Sequence, residues 1–417
     1  MGVNERLPLA ESVERLAAPP ALSPAPPVSL ATLALLFLRI GCTSVGGFMA
    51  MVSVTQNVIV ERRRLLPASD LLDGLALASV LPGPVAINVV AYTGYRLRGV
   101  AGAAIAMLCA VLPAFLCIVA LGSLYFRFGS MDAVRPIFQG ITPAIVAVVL
   151  AAGCRLWSAA VGSRRQAMLG AGAAILLTVI PGLPTTLAVM AAAAAVGCRY
   201  NRQQAPSAQA ATLERAPAAP TRMSSPLVLA AVLAPLAVLS WLALHSSALL
   251  KLAGVFAGMS LLTFGGGYVF IPLLQHTVVD AYGWLTPRQF VDGLALTQLS
   301  PGPVMISSAF VGLKVAGVAG AAAASAGMFI PSAVLMIAAS GAMQRIRGSA
   351  PVRAALCGVR AALAGMVFSA AFAIARLAAP AWPSFLVCAL ALLALVRFRI
   401  DAAWVVACAA LAGWLVF

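Results

Sequence analysis

Charged side chains are scarce in this chain, where Asp, Glu, Lys and Arg together make up 9% of 417 residues. A soluble domain needs roughly a quarter of its residues charged to keep its surface wetted. Hydrophobic residues instead make up 62%, the mean hydropathy is +1.02, and apolar runs of helix-crossing length recur along almost the whole chain. The composition therefore excludes a soluble enzyme with a single anchor and predicts an all-α polytopic membrane protein.

Residues that build catalytic and metal centres are also few. The two histidines, His245 and His276, lie in different surroundings, and the eight cysteines form no CxxC pair. Cysteine inside an apolar run behaves as a small hydrophobic side chain. We therefore expect no disulfide, no metal site, no cofactor and no catalytic residues, and we set aside a membrane-embedded enzyme.

Acidic residues are outnumbered by basic ones, with 11 Asp and Glu against 27 Lys and Arg and a net charge of +16. The basic residues lie in short loops between apolar runs, where Lys and Arg orient a membrane protein. No basic stretch is interleaved with aromatic residues, so we expect no nucleic-acid binding. The expected location is a bacterial inner membrane, crossed several times and surrounded by lipid.

An internal repeat organises the chain. Residues 70–84 read DLLDGLALASVLPGP, and residues 289–303 read QFVDGLALTQLSPGP. The glycine pair Gly46-Gly47 matches Gly265-Gly266 at the same offset. A register this long indicates a duplication, with an N-terminal half at 28–197 and a C-terminal half at 249–417.

Three segments fall outside the two halves. Residues 1–27 are predicted to be a polar, cytosolic tail, and the Pro/Ala-rich residues 198–226 a cytoplasmic linker. The apolar run 227–248 has no counterpart before the first half, so we predict an extra transmembrane helix that inverts the second half. Most loop charges fit this inversion, although Arg127, Arg135 and Arg376 fall on the wrong side.

Each half is predicted to contain discontinuous or re-entrant helices. The stretches before and after Pro82-Gly83-Pro84 reach roughly 18 Å as helices, too short for a hydrocarbon core of about 30 Å. A continuous helix through Pro-Gly-Pro is implausible because proline removes a backbone donor and clashes with the preceding turn. The fold class is therefore an inverted-topology internal duplication with broken helices.

Broken helices at matching places in two halves indicate the binding site of a transporter. A helix that restarts after a break presents free N–H groups and about +0.5 charge, so four such ends supply about +2, enough for a dianion. Each motif alone is more often a packing contact or a turn, but the same pair at the same spacing in both halves favours a site. The predicted substrate-binding residues are Ser44, Gly46, Gly47, Gln56, Pro82, Gly83, Pro84, Asn88, Thr263, Gly265, Gly266, Gly267, Gln275, Ser300, Pro301, Gly302 and Pro303. Thr55, Gln298, Ser307 and Ser308 are further polar side chains near the breaks.

Six charged residues are candidates for coupling or gating. Asp73 and Asp292 are expected in the first turns of their half-helices, where the dipole favours a carboxylate. Asp280 has no arginine run beside it and is a better candidate for a proton carrier than Glu61, although a plain loop carboxylate is the favoured interpretation of it. Arg96 and Lys314 occupy equivalent places after the second hairpin, either to attract an anion or to reach the membrane interface.

The sequence resembles the chromate ion transporter family in its long, two-domain form. The resemblance lies in Gly46-Gly47, in the run Thr263-Phe264-Gly265-Gly266-Gly267 followed by Gln275, and in the repeated Asp-Gly-Leu-Ala-Leu and Pro-Gly-Pro words, and it covers nearly the whole chain. It implies an inverted duplication that extrudes chromate, with sulfate as the structural analogue. In the first half Val45 and Phe48 replace Phe264 and Gly267, which leaves open whether both halves contribute equally.

Three transport modes stay open at this stage. The first is efflux of chromate, driven by a proton gradient or by exchange, which confers chromate resistance. The second is uptake of sulfate or a related oxyanion through an identical site. The third is a passive anion channel, although broken helices in an inverted repeat favour alternating access. A homodimer is compatible with each mode.

Overall fold

The structure, a computed structural model, describes residues 28–44, 48–128, 135–180, 182–200, 248–263, 270–340, 350–376 and 382–416. The predicted tail at 1–27, most of the predicted linker at 198–226 and nearly all of the predicted extra helix at 227–248 lie outside this part. Every regular element within the described residues is helical. Four of these helices are long and apolar enough to cross a membrane.

Seven α-helices of the first half lie within the described residues. Ser29 caps the first of them, because its hydroxyl accepts a hydrogen bond from the backbone N–H of Thr32 at 3.1 Å. The helices are α1 Leu30–Thr43, α2 Phe48–Thr55 with a π-helical continuation Gln56–Arg62, α3 Ala68–Val80, α4 Val85–Phe128, α5 Arg135–Ala160, α6 Arg164–Val179 and α7 Leu183–Tyr200.

The second half repeats this series element by element. The helices are α8 Ala248–Leu262, α9 Phe270–Gln275 with a π-helical continuation His276–Ala281, α10 Pro287–Leu299, α11 Ser307–Ser340 after a 3₁₀ turn Val304–Ile306, α12 Ala350–Ala375, α13 Trp382–Val396 and α14 Ala402–Val416. Even the π-helical segments recur at equivalent positions. The order of elements therefore agrees with a duplication.

Helices α4 and α11 each fold back on themselves. The backbone leaves helical geometry at Arg98-Gly99 and at Ala316-Gly317, with φ of +62° and +61° at the two glycines. Glycine adopts this left-handed conformation without a Cβ penalty. In the second half the two arms are so close that a Cβ on Gly312 would collide with the carbonyl of Gly320. Residues 85–97 and 304–315 are thus short arms. They pack back against the long arms of the same helices, residues 100–128 and 318–340.

Contacts between the halves fix their relative direction. Ala114 lies beside Gly302, and further along α4 the ring of Phe126 stacks on Phe310 with centroids 4.8 Å apart. The long arm of α4 is therefore parallel to the short arm of α11, which is itself antiparallel to the long arm of α11. Equivalent long arms run in opposite directions, which confirms the predicted inverted duplication. The extra helix at 227–248 stays a prediction.

The remaining helices interlock the two halves. Helix α12 packs on α6 and α7, and helix α5 packs on α13 and α14, so each half covers the other. Glycines allow the close approach: Gly140 of α5 meets Gly413, and Gly358 of α12 meets Gly197. Close contact of helix backbones at small residues is the usual packing mode in lipid. This frame holds the broken hairpins at the centre.

Candidate functional site

The two Pro-Gly-Pro turns have the same backbone shape. Helix α3 ends at Val80, and α4 begins at Val85. In the second half α10 ends at Leu299, and the 3₁₀ turn begins at Val304. The φ values are +109° at Gly83 and +102° at Gly302. A side chain at either position would strain the backbone, so these turns need glycine.

Each turn donates a backbone hydrogen bond to the opposite half. The N–H of Gly83 donates to the carbonyl of Thr263 at 2.6 Å, and the N–H of Gly302 donates to the carbonyl of Ser44 at 2.7 Å. Ser44 and Thr263 are buried and stand two positions before the first glycines of the two runs, Gly46 and Gly265. We call this pair of reciprocal bonds the crossed junction. It links the turn of each half to the residue that follows α1 or α8 in the other half.

The hydroxyls of Ser44 and Thr263 are already used within their own helices. The Ser44 hydroxyl donates to the carbonyl of Ile40 at 2.6 Å, and the Thr263 hydroxyl donates to that of Met259 at 2.7 Å. Their role at the junction is therefore carried by their main-chain carbonyls. The predicted glycines Gly46, Gly47, Gly265, Gly266 and Gly267 lie outside the described residues, and their assignment stays a prediction.

Two polar side chains border the first turn. Asn88 is fully buried, and its Nδ2 donates to the carbonyl of Pro82 at 3.3 Å, while its Oδ1 has no partner within the described residues. Ser332 of α11 is so close to Gly83 that a Cβ on the glycine would collide with it. Sequence reasoning missed Ser332 because its contact crosses between the halves.

The second turn carries more unpaired donors. Gln298 Nε2, Ser307 Oγ and Ser308 Oγ are buried, and none finds a hydrogen-bond partner among the described residues. The hydroxyl of Ser300, by contrast, donates to the carbonyl of Thr297 at 2.9 Å. Buried polar groups are nearly always hydrogen-bonded, so unpaired ones need an explanation. Three unpaired groups able to donate beside a helix start fit an anion.

The two predicted glutamines mark the start of the π-helical segments. Gln56 is exposed, with its Nε2 3.4 Å from a carboxylate oxygen of Glu61, and Gln275 is half-buried. The hydroxyl of Thr55 donates to the carbonyl of Met51 at 2.7 Å and is thus occupied. Gln56 is thus exposed and bonded to a neighbouring side chain, and its role as a ligand, like that of Gln275, stays a prediction.

The expected position of the two aspartates is wrong. Helix α3 begins at Ala68 and α10 at Pro287, so Asp73 and Asp292 are both the sixth helical residue and lie in the second turn. Thr286 starts α10 earlier than expected, because its hydroxyl accepts from the N–H of Gln289 in a capping box. Both aspartates are buried and face the protein interior.

Asp292 contacts the other half of the protein. The Tyr125 hydroxyl of α4 donates to a carboxylate oxygen of Asp292 at 2.7 Å, and Arg288 Nε lies 3.9 Å from the same oxygen. Phe310 packs against the ring of Tyr125, with centroids 5.6 Å apart. Sequence reasoning did not identify Tyr125, because its repeat equivalent is not a tyrosine and no local motif marks it.

The other four charged candidates are exposed. Asp280 lies at the end of its π-helical segment, and Glu61 accepts from the side chain of Asn57 at 3.2 Å. Arg96 forms an ion pair with Asp70, and the ammonium of Lys314 lies 5.2 Å from the centroid of Phe126. Arg96 and Lys314 therefore have local partners near the hairpin ends. Among the described residues, no group of three His, Cys, Asp or Glu could hold a metal ion.

A small cavity adjoins the Thr263 end of the crossed junction. Its volume is about 10 Å³, and Thr186 of the first half and Met366 of the second line it together with Thr263. A cavity of this size holds no more than about one water molecule. Among the described residues this cavity therefore has no room for a tetrahedral oxyanion.

Comparisons with known proteins agree with one another. A family model described as Chromate transporter matches residues 31–198 and again residues 250–414. A chromate transport protein of Cupriavidus metallidurans is 30% identical over 396 residues, which cover 93% of this chain and 94% of that protein. One from Pseudomonas aeruginosa is 30% identical over 418 residues, or 94% of each chain. An uncharacterized transporter of Bacillus subtilis is 32% identical over 161 residues, 38% of this chain but 90% of its own. No solved structure matches the chain.

Proposed function

Because the chain belongs to the chromate transporter family, we propose that it is a secondary transporter that exports chromate across the bacterial inner membrane and thereby confers chromate resistance. Chromate is a tetrahedral dianion, and sulfate has the same shape and charge. Sulfate is therefore the expected competitor at the same site.

The crossed junction is the observation that carries this proposal. It joins the first-half turn to Thr263 after the end of α8, and the second-half turn to Ser44 after the end of α1, by backbone bonds of 2.6 and 2.7 Å. Irregular backbone at membrane depth is tolerated where protein or a water-filled cavity satisfies it. Two such breaks, each followed by a helix start and bonded to the opposite half, are suited to a substrate site between inverted halves.

Charge and donors at the turns suit a dianion. The starts of α4 and α11 each present roughly half a positive charge. Gln298, Ser307 and Ser308 add unpaired groups able to donate beside the second turn, and the backbone N–H groups at the helix starts add more. We propose that the dianion binds between the turns and that the halves then rock against each other to open the site on alternate sides.

Chromate accumulation in inverted membrane vesicles tests the proposal. Vesicles with the protein are compared with vesicles from cells that lack it, with and without a proton gradient, and with sulfate as competitor. Export predicts gradient-dependent accumulation that sulfate reduces.

The outcomes separate the alternatives. Accumulation in right-side-out vesicles alone would indicate uptake, and rapid equilibration without concentration would indicate a channel. A lack of chromate movement in every arrangement contradicts the substrate assignment while leaving the fold unaffected.

A further inference from the structure

An arginine lies within a membrane-length helix. Arg360 belongs to α12, whose residues Cys357–Ala375 form one of the four candidate spans. It is the fourth residue of that span and, at 1.5 Å per residue, stands about 9 Å along the axis from the midpoint of the span. Ionisable residues inside membrane spans are costly and mark substrate or ion pathways. Sequence reasoning overlooked this position, although a lone arginine in an apolar run is a visible signal.

The guanidinium of Arg360 reaches the first-half hairpin. Its Nη2 donates to the carbonyl of Ser79 at 3.3 Å, in the last turn of α3 and three residues before Pro82. A cation from the second half therefore stands beside the first-half turn. Within the described residues no carboxylate lies within ion-pair distance of Arg360, so its charge is not neutralised by the protein there.

The side chain is accessible although the helix around it is buried. Arg360 is exposed, whereas residues 361–367, which follow it directly, are all buried. Arginine has five N–H donors in a planar fork, and the bond to Ser79 uses one of them. The others contact no acceptor among the described residues and are free to meet an anion.

The repeat argues against a purely structural role. The equivalent of Arg360 in the first half is Thr142, and the equivalent of Ser79 is Gln298. A cation that only capped the end of a half-helix would be needed at both equivalent ends. Helix α10 ends beside Gln298 with no such arginine in the equivalent place. The cation is therefore a property of one turn and not of the hairpin fold.

We propose that Arg360 binds the transported tetrahedral oxyanion beside the first-half Pro-Gly-Pro turn. Its full charge adds to the partial charge of the α4 start, and its fork can take two oxygens of the anion at once. This inference rests on the proposed function, since it names a ligand for the same substrate.

Anion binding to the purified full-length protein tests the assignment without reference to transport direction. The shift in Tm is measured against chromate and against sulfate for the wild type and for Arg360→Gln, Arg360→Lys and Arg376→Gln. Arg376 is an exposed arginine at the end of the same helix and serves as the matched control.

The expected result is a loss of about 10- to 100-fold in chromate affinity for Arg360→Gln, as for removal of a charged hydrogen bond. Arg360→Lys is expected to keep part of the affinity, and Arg376→Gln all of it. A variant Arg360→Gln with wild-type affinity and a lower Tm without anion would show a helix cap only and overturn the inference. A wild type that binds neither anion contradicts the proposed function itself.

A transplanted charge provides a second test. Arg360→Thr alone is compared with the double variant that also carries Thr142→Arg, which moves the cation to the equivalent place at the second turn. Partial recovery of chromate affinity is expected, because the proposed function places the dianion between the two turns. An affinity no better than that of Arg360→Thr, in a protein of unchanged Tm, contradicts a role for the charge as such.

Discussion

The two Pro-Gly-Pro turns share one backbone and differ in the side chains around it. Their glycines have φ of +109° and +102°, and each donates its N–H to the opposite half. The first turn is bordered by Asn88, Ser332 and the proposed ligand Arg360, the second by unpaired hydroxyl and amide groups. Duplication thus preserved the geometry while the chemistry diverged. We infer that the first turn supplies charge and the second supplies neutral donors.

The space beside the two glycines differs as well. A Cβ on Gly83 would collide with the Ser332 side chain, whereas a Cβ on Gly302 would lie 3.0 Å from Cβ of Ala114. Both positions have positive φ, where a side chain costs roughly 1–2 kcal/mol. Only the first turn adds a severe collision to this strain, so the same substitution should separate the turns.

The largest expected effect comes from alanine at these glycines. Gly83→Ala should abolish chromate transport and lower the Tm clearly, and Gly302→Ala should reduce transport and lower the Tm less. Vesicle transport and thermal unfolding in detergent measure both. Adding Ser332→Gly should recover part of the loss in Gly83→Ala and none in Gly302→Ala. Equal losses of transport and equal decreases in Tm for Gly83→Ala and Gly302→Ala would contradict the proposed difference between the turns.

The next effect concerns the donors at the second turn. The double variant Ser307→Ala with Ser308→Ala should raise the KM for chromate about 100-fold or more, since each lost bond to a charged ligand contributes about 1.5–3 kcal/mol. Ser384→Ala is the control, because Ser384 is also buried and unpaired but lies on α13, away from the turns. An unchanged KM in the double variant would assign the site to the first turn alone.

A smaller effect is expected at the contact between Tyr125 and Asp292. Tyr125→Phe leaves the buried carboxylate without its hydroxyl donor, at a cost of about 1–3 kcal/mol in stability. The first turn has no tyrosine equivalent, so only the second hairpin should loosen. We expect a lower Tm and a changed maximal rate with an unaltered KM. A changed KM together with an unaltered Tm would place Tyr125 at the substrate instead.

The smallest effect is expected for the exposed ion pair between Arg96 and Asp70. Exposed ion pairs contribute about 0–1 kcal/mol, so Arg96→Gln should change the Tm by little and transport by less than twofold. Lys314→Gln, at the equivalent place, is the matched comparison. A large loss of transport for Arg96→Gln that occurs only at low ionic strength would instead indicate that the charge of Arg96 attracts the anion.

The hairpins themselves followed from sequence because glycine and proline act locally. The spacing of Pro82 and Pro301 within their repeats was enough to predict where helices stop and restart. The positions of Asp73 and Asp292 were misjudged by a turn, since the caps at Pro67 and Thr286 lie upstream of the repeated words. Helix starts depend on one or two residues and are the least certain part of such a pattern.

The partners of the turns could not be deduced in the same way. Ser332 lies against Gly83, which is 249 positions earlier in the chain. Tyr125 donates to Asp292, which is 167 positions later. Neither Ser332 nor Tyr125 has an equivalent of the same residue type in the other half, so comparison of the two halves does not identify them. Contacts of this kind depend on how inverted halves interlock, which periodicity does not encode.

The crossed junction has an evolutionary consequence. Its donors and acceptors are main-chain atoms, so drift in the side chains of Ser44 and Thr263 leaves both bonds in place. After duplication, the side chains around the two turns could therefore change while the two halves kept the same main-chain contacts with each other. Conversely, the turn of each half donates to a carbonyl of the other half. A half expressed alone would therefore lack this acceptor until it associated with the other half.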